Sequence, residues 1–307
     1  MTTLSTLRAG GKAALARVLA RLESNPDDPE IIALLDAAFL APMGQVIGLT
    51  GPPGVGKSTL AGALIGAYRQ SGKTTAVIAI DPSSKRSGGA LLGDRTRLRT
   101  DPDDHGIFVR SMAARDQLGG LAEITFAAMV LMRALYDVVL IETVGVGQSE
   151  TDIALAADTV IFCVQPGSGD ALQFMKAGIV EIPDIVTVTK GDLGRAATRA
   201  RADVKGALGL NEGRQDGDSW SVPVLIVSAN AAEGIGALIE AVAQHDSWLR
   251  EEGRGKVKRA AQAEAWIEAA IKERWGREGV KRLNAAPVTA RTAESPFLAL
   301  AEYARQL

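Results

Sequence analysis

A glycine-rich octapeptide carries the clearest chemistry in this sequence. Residues 51–58 read GPPGVGKS and match the pattern G-x-x-x-x-G-K-[S/T] in full. An apolar run, Val46–Thr50, precedes the octapeptide, and a helical pattern over Thr59–Tyr68 follows it. In this strand-loop-helix context the backbone N–H groups of the loop surround nucleotide phosphates. We therefore predict a phosphate site formed by Gly51, Pro52, Pro53, Gly54, Val55, Gly56, Lys57, Ser58 and Thr59.

Three side chains of this segment have separate roles. The ammonium of Lys57 should reach the β- and γ-phosphates, and the hydroxyl of Ser58 should bind Mg²⁺. Thr59 is expected near the α-phosphate. The sequence thus predicts a nucleoside triphosphate bound together with Mg²⁺.

Acidic residues follow two later apolar runs. Asp81 and Glu142 each come directly after such a run, and Asp94 lies in the glycine-rich segment beyond Asp81. In open α/β sheets the ligand crevice lies at the carboxyl ends of the strands, where carboxylates suit Mg²⁺ directly or through water. We predict that Asp81, Asp94 and Glu142 join Ser58 at the metal and Lys57 in catalysis. For each carboxylate taken alone, a helix cap or a loop hydrogen bond is the alternative.

The segment after Glu142 predicts a switch loop. Residues 142–148 read ETVGVGQ. The backbone N–H of Gly145 could bind the γ-phosphate, which would order the loop with triphosphate and release it after hydrolysis. Gln148 could orient the attacking water. Small GTPases often place Gln directly after the equivalent glycine, whereas this chain has Val146, so we expect slow hydrolysis that a partner or a dimer stimulates.

Another segment predicts guanine as the base. Residues 186–192 read VTVTKGD and resemble the guanine motif N-K-x-D. The carboxylate of Asp192 can accept hydrogen bonds from N1–H and the 2-amino group of guanine, and adenine offers neither in that arrangement. The stem of Lys190 can lie along the base plane. Thr189 replaces the usual Asn, which removes an amide able to bridge base and loop. Backbone N–H groups for guanine O6 are expected from Ser228, Ala229 and Asn230.

Seven short apolar runs must position these groups. Most of them lack polar alternation, and segments of helical length separate them, which predicts an α/β fold with a mostly parallel sheet covered on both faces. The runs are Val46–Thr50, Thr75–Ile80, Ile107–Arg110, Val138–Ile141, Thr159–Val164, Ile185–Val188 and Val224–Val227.

The chain divides into three predicted parts. An N-terminal helical segment covers residues 1–43, with helices at about 12–22 and 29–40. The nucleotide domain covers 44–245, with an exposed helix and loop at about 195–215. A helical arm covers 246–307, with a long helix at about 255–275. This helix could pack back on the core or contact a second subunit or a partner, because Trp is favoured at interfaces. Its apolar side would consist of Val257, Trp266, Ile267, Ala270, Ile271 and Trp275.

Composition limits the partners and the compartment. The chain has 307 residues, a net charge of -2 and a pI of about 5.9, which gives no electrostatic footprint for nucleic acid or an anionic membrane. We find no run of 18 apolar residues and no signal peptide. The single cysteine, Cys163, is expected in the core and suits the reducing cytoplasm. One Cys and two His leave too few ligands for a zinc site, and we expect both His105 and His245 at the surface.

Taken together, these segments resemble the MeaB/ArgK family of P-loop GTPases, the chaperones of methylmalonyl-CoA mutase. The resemblance covers about residues 10–300. Its most specific stretches are GLTGPPGVGKSTL, AIDPSSKRSGGALLGDRTRL, ETVGVGQSETDIA and PGSGDALQFMKAGIVEIPD.

The resemblance implies a three-layer fold of the SIMIBI class and a homodimer. It also implies Mg²⁺ and switch roles for Asp81, Asp94 and Glu142, and a switch-like loop from Gly167 to Lys176 that faces the partner. In this family, GTP binding and hydrolysis to GDP and phosphate gate the delivery of adenosylcobalamin to the mutase and its release when damaged.

Two other functions stay open on sequence grounds. A metal-insertion GTPase is related in fold, but it should carry Cys or His clusters that this chain nearly lacks. A kinase linked to amino-acid transport, the older ArgK description, would transfer the γ-phosphate to an acceptor other than water.

Overall fold

A computed structural model gives the structure of the chain and describes residues 2–81, 98, 100–113, 123–143, 152–167, 182–212, 219–285 and 295–305. Asp94, Gly145, Gln148 and most of the predicted loop at 167–176 lie outside the described residues. For Asp81 the backbone is described and the side chain is not.

A seven-stranded sheet lies at the centre, in the order β3-β2-β4-β1-β5-β6-β7, and each pairing of its described strands is parallel. All the predicted apolar runs form strands. Every residue of β4, β5 and β6 is buried, which explains why these runs are continuously apolar. The strands are β1 (Gln45–Thr50), β2 (Thr75–Asp81), β3 (Ile107–Ala113), β4 (Val138–Glu142), β5 (Thr159–Val164), β6 (Ile185–Val188) and β7 (Val224–Ile226).

Helices cover both faces of the sheet. In chain order the described α-helices are α1 (Leu4–Ser24), α2 (Pro29–Leu40), α3 (Lys57–Gln70), α4 (Glu123–Arg133), α5 (Arg195–Glu212), α6 (Ile235–Arg250), α7 (Arg254–Ala285) and α8 (Pro296–Arg305). Alternate residues of β1 serve opposite layers: Val46 joins a core with α1, α2, α4, α7 and α8, and Ile47 joins a core with α3 and α6. This is the predicted three-layer arrangement.

Two helices extend beyond their predicted bounds. Helix α1 begins at Leu4 with a capping box between Thr3 and Thr6, but Gly11, with a left-handed φ of 56°, interrupts it just before the predicted start near residue 12. Helix α7 continues to Ala285, although Gly276 has a left-handed φ of 64° that interrupts its regular geometry. The domain boundaries at 43 and 245 stay predictions; helix α6 runs through residue 245 and ends at Arg250.

The long helix α7 packs on the core along much of its length. The ring of Trp266 stacks on Phe126 with centroids 5.2 Å apart, and Gln262 Nε2 donates to the carbonyl oxygens of Ala154 and Ala157, both at 2.8 Å. The sequence left open whether this helix packs on the core or contacts a partner, and the structure shows that it packs on the core. Val257 does not take part in this packing, since it is 70% exposed on the first turn of the helix.

The prediction of a surface position for His245 is wrong. The residue is fully buried, with Nδ1 2.8 Å from Thr159 Oγ1 and Nε2 3.2 Å from Asp184 Oδ1. Its ring lies against Trp248. Residues 241, 245 and 249 fall on one helical face and all are buried, so helical spacing could have placed this histidine inside.

Three other expectations were tested by burial and helix length. Cys163 is fully buried, and burial raises the pKa of its thiol to about 12, so the thiol is an inert core group. His105 is exposed in a turn, as predicted. No helix within the described residues has the length and apolarity that a bilayer crossing requires.

Candidate nucleotide site

The predicted phosphate loop lies between β1 and α3, at the carboxyl edge of the central strand. Gly51, Gly54 and Gly56 all have positive φ, at 133°, 76° and 100°. A Cβ added at Gly51 would lie only 2.2 Å from the carbonyl oxygen of Cys163 on β5. The loop therefore needs glycine at residue 51 for space as well as for backbone conformation. Helix α3 starts directly at Lys57, so its free N–H groups face the loop.

Lys57 is held inside the loop that precedes it. Its side chain is 6% exposed, and Nζ donates to the carbonyl oxygens of Gly51 at 2.7 Å and Pro52 at 3.0 Å. The ammonium thus lies among the backbone groups that would surround a polyphosphate. Its charge is in the place where phosphate oxygens would be neutralised.

Ser58 and Glu142 meet at the edge of the sheet. Ser58 Oγ donates to Glu142 Oε1 at 2.5 Å, and Glu142 is 3% exposed. The end of β4 is fixed to β1 just beyond this point, because Thr143 N–H donates to Leu49 O at 3.1 Å and Thr143 Oγ1 donates to Thr50 Oγ1 at 3.1 Å. A hydroxyl and a carboxylate are hard oxygen donors of the kind that Mg²⁺ prefers.

The distance between these oxygens bears on how they could hold the metal. Neighbouring ligands of an octahedral Mg²⁺ stand roughly 2.9 Å apart. The Ser58–Glu142 contact of 2.5 Å is shorter, so this hydrogen bond must open if both groups are to bind the ion directly. No group of three or more Asp, Glu, His or Cys residues forms a metal cluster within the described parts of the chain. A site completed by nucleotide oxygens and water fits this donor set.

The remaining predicted metal and switch residues are placed in part. Asp81 is the last residue of β2, and two residues before it Ala79 pairs with Glu142 on β4. The backbone of Asp81 therefore reaches the same edge of the sheet as Glu142. Asp94, Gly145 and Gln148 lie outside the described residues.

A cavity of about 200 Å³ lies beside the phosphate loop. It brings together residues from the loop, the start of α3 and the ends of β6 and β7. Every predicted base-contact residue lines it, but the backbone N–H of Ser228 donates to Glu233 O at 3.0 Å, so the prediction that this N–H binds guanine O6 is wrong. The lining consists of Val55, Gly56, Thr59, Leu60, Thr189, Lys190, Asp192, Val227, Ser228, Ala229 and Asn230. The sequence analysis did not include Leu60 and Val227, although each is next to a predicted site residue in the chain.

Thr189 ties the base pocket to the phosphate loop. It is 5% exposed, its Oγ1 lies 2.6 Å from Val55 O and 2.9 Å from Val164 O, and its N–H donates to Val164 O at 2.8 Å. The sequence analysis expected that loss of the Asn amide would remove a bridge between base and loop. The Thr189 hydroxyl keeps one of the two contacts of that bridge, the one with the phosphate loop at Val55 O.

Lys190 and Asp192 are each fixed by a neighbour. Lys190 has a left-handed φ of 53°, and its Nζ donates to Gly54 O at 3.2 Å and to Gln165 Oε1. Asp192 Oδ1 accepts a hydrogen bond from Ser228 Oγ at 2.8 Å. Gln165 is a site residue that the sequence analysis missed; its position directly after β5 was the available signal.

Comparisons with known proteins agree with this geometry. The sequence model of the family described as methylmalonyl Co-A mutase-associated GTPase MeaB matches residues 15–282. The chain belongs to the MeaB family. The GTPase ArgK of Escherichia coli (strain K12) is 34% identical over 275 residues, which is 88% of this chain and 83% of ArgK.

Two further relatives support membership of the MeaB family. The mitochondrial methylmalonic aciduria type A homolog of Mus musculus is 38% identical over 230 residues, which is 74% of this chain and 55% of the mouse protein. A crystal structure titled LAO/AO transport system kinase has a TM-score of 0.68 at 28% identity and covers 99% of this chain and 95% of its own. This MeaB-family chain is thus a P-loop GTPase of the SIMIBI class, an enzyme that binds guanine nucleotide.

Proposed function

We propose that this protein is a Mg²⁺-dependent GTPase that escorts an adenosylcobalamin-dependent methylmalonyl-CoA mutase, or a closely related mutase, and gates the loading and protection of its cofactor. The nucleotide part of the proposal rests on one observation: the pocket with Thr189, Lys190 and Asp192 opens directly beside the phosphate loop. The client part rests on the family description and on the name of the mouse relative.

The residues of the site divide the proposed chemistry between them. Lys57 and the loop N–H groups would stabilise the negative charge that develops on the γ-phosphoryl oxygens as water attacks. Ser58 and Glu142, with Asp81 and Asp94, would hold Mg²⁺. The bound ion would supply further positive charge at the β- and γ-phosphates. Gln148 is the proposed group that orients the attacking water.

Coupling to the client would begin at Glu142. This carboxylate bonds to Ser58 at the phosphate loop, and the proposed switch loop with Gly145 follows two residues after Thr143. A nucleotide that changes the Ser58–Glu142 contact would therefore act on the start of that loop. Only a difference in mutase affinity between the GTP and GDP forms can convert hydrolysis into loading or release.

The homodimer is the further part of the proposal. Val257 is 70% exposed near the start of α7, the helix for which the sequence left open a contact with a second subunit. A large apolar side chain at this position would gain from burial against a second copy. Sedimentation of the parent protein and of Val257→Asp tests this part: a dimer that the variant weakens supports it, and a monomeric parent contradicts it. The buried thiol of Cys163 is compatible with the proposed cytoplasmic setting.

The decisive experiment measures GTP turnover and complex formation with purified mutase and its cobalamin adapter. We expect the mutase to raise turnover and the complex to differ in stability between GTP analogue and GDP. The control is Lys57→Ala, which should lose nucleotide affinity and the nucleotide dependence of the complex. If mutase and adapter leave both turnover and complex formation unchanged, the client assignment fails while the GTPase itself stands.

The same assay decides between a GTPase and a kinase. Label from the γ-phosphate should appear as free phosphate in proportion to GTP consumed. Transfer to an acceptor that outpaces transfer to water would favour the kinase function.

A further inference from the structure

We infer that this chain binds guanine without a hydrogen bond from residue 189 to N7 of the base, so that the hydrogen bonds that hold and select the base come from the Asp192 side of the pocket. The inference rests on the proposed base pocket and adds to it which edge of guanine is read. It concerns N7 because guanine presents N7 and O6 as acceptors, and N7 can be recognised only by a donor.

Thr189 has no hydrogen to offer to N7. A threonine can donate its backbone N–H and its hydroxyl proton. The N–H is bonded to Val164 O at 2.8 Å, and the hydroxyl lies 2.6 Å from Val55 O and 2.9 Å from Val164 O. One hydroxyl proton already faces two carbonyl acceptors. Both donors of this residue are therefore engaged inside the protein.

Turning the hydroxyl toward the base would gain nothing. Val55 is 1% exposed and Thr189 is 5% exposed, so the carbonyl that lost its partner would be left in a poorly hydrated position. The cost of an unsatisfied buried acceptor equals or exceeds the net gain of one neutral hydrogen bond. The hydroxyl therefore stays on the phosphate loop when the base is bound.

An asparagine at this position would behave differently. Its carboxamide has two N–H donors and a carbonyl oxygen, so it can serve the loop and the base together. Threonine keeps the contact with the loop and gives up the contact with the base. Replacing Thr189 by Asn should therefore add a contact that depends on the presence of N7.

The Asp192 side of the pocket is built for recognition of the other edge. Asp192 Oδ1 accepts from Ser228 Oγ at 2.8 Å, which orients the carboxylate. Ser228 is itself 1% exposed and is fixed by paired backbone hydrogen bonds with Glu233, both at 3.0 Å. A carboxylate held in this way can accept from N1–H and the 2-amino group, and hydrogen bonds to a charged acceptor are about twice as strong as neutral ones.

The test is a calorimetric titration of the full chain with GDP, 7-deaza-GDP, IDP and ADP in the presence of Mg²⁺. The 7-deaza analogue lacks the N7 acceptor, and IDP lacks the 2-amino group. We expect GDP and 7-deaza-GDP to bind within about twofold of each other. IDP should bind at least about tenfold more weakly, because it loses a hydrogen bond to a charged acceptor.

Three variants assign the effect to residue 189. Thr189→Asn should bind GDP about three- to tenfold more tightly and leave 7-deaza-GDP unchanged. Thr189→Val removes the tie to the loop and should weaken both nucleotides equally. The matched control is Thr187→Val, two residues earlier on β6, because Thr187 Oγ1 is buried and has no hydrogen-bond partner in the described structure. This control should bind all nucleotides as the parent does.

The outcomes separate this inference from the proposed pocket. The inference is overturned if the parent protein binds 7-deaza-GDP tenfold more weakly than GDP. It is also overturned if Thr189→Asn increases the affinities for GDP and 7-deaza-GDP equally. If Thr189→Asn does not fold, the comparison within the parent protein still decides. Equal affinities for ADP and GDP would instead remove the proposed base pocket itself.

Discussion

Replacing Arg259 by Met tests how the long helix α7 is held on the sheet. Arg259 forms a two-point contact with Asp158, with Nε 2.7 Å from Oδ1 and Nη2 2.9 Å from Oδ2. Asp158 is 2% exposed, directly precedes β5, and also accepts from Val46 N–H at 2.8 Å. The pair thus connects the C-terminal arm to the amino edge of the two central strands.

The size of the effect follows from burial and from the partners that remain. Burial lowers the pKa of Arg259, but the hydrogen bond and charge of Asp158 raise it further, so the net shift is upward. At Arg259 itself, the attraction of Asp158 therefore outweighs the effect of burial on the guanidinium. Removing one partner of a buried pair costs about 3–5 kcal/mol. Because Val46 N–H still satisfies Asp158 in the variant, we expect a loss of about 3 kcal/mol. For a chain of 307 residues this corresponds to about 5 °C in Tm.

Urea unfolding and thermal melts, followed by tryptophan fluorescence and circular dichroism, measure this loss. The matched control is Arg250→Met on α6. Arg250 pairs with Asp246 at 2.6 Å, but its side chain is 78% exposed, so its removal should cost less than about 0.5 kcal/mol. Basal GTP turnover below the melting range should be unchanged in both variants, because Asp158 lies at the opposite end of β5 from the phosphate loop.

One result would refute the reasoning. If Arg259→Met unfolds within about 0.5 kcal/mol of Arg250→Met, the buried pair does not hold the arm, and packing around Trp266 must do so. A loss well above 5 kcal/mol would also contradict the estimate, since it would exceed the usual cost of an uncompensated buried charge.

Three further predictions concern the phosphate loop, the core and acid stability. Gly51→Ala should abolish nucleotide binding in calorimetry, because its Cβ would lie 2.2 Å from a main-chain oxygen, whereas Gly54→Ala meets no atom within 4 Å and should lose less; equal losses would contradict the steric argument. Trp266→Ala should lower the free energy of unfolding by about 3–5 kcal/mol in urea, and a loss below about 1 kcal/mol would show that its pocket collapses. Burial raises the pKa of Asp184, but His245 and nearby charges lower it more, to below its ordinary 3.8. The ionised Asp184 therefore stabilises the fold above about pH 4, and this stabilisation is lost as pH falls through the folded-state pKa. In Asp184→Asn the free energy of unfolding should fall less steeply as pH is lowered, and an unchanged pH dependence would contradict this.

The fold was predictable because its signals are local. A strand buried on both faces must be apolar along its whole length, so each run could be recognised without knowledge of its neighbours. The break between α1 and α2 was equally local, since Asp28 caps α2 and Pro29 occupies its first turn. The phosphate loop required a fixed order of strand, glycines, lysine and helix, all of them adjacent in the chain.

The error at His245 concerns a residue whose surroundings come from distant segments. It was expected at the surface, but Thr159 hydrogen-bonds to Nδ1 and the Asp184 carboxylate lies 3.2 Å from Nε2 inside the protein. Val257, which was expected on the apolar side of a helix that packs on the core or contacts a second subunit, lies away from the core. Helical spacing could have placed His245 inside, but polarity and periodicity do not say which partners a fold supplies there.

The sequence by itself indicated the chemistry of the chain and the elements that carry it: a phosphate loop, a later motif with Asp192 for the guanine base, and seven apolar strands. Only the tertiary structure decided that the Thr189 hydroxyl bonds to the loop at Val55, that Ser58 meets Glu142, and that Ser228 orients Asp192. The physical reason is the distance along the chain between the residues that interact. Backbone conformation and burial patterns are fixed by neighbouring residues, whereas a side-chain hydrogen bond depends on which strand ends the sheet order brings together.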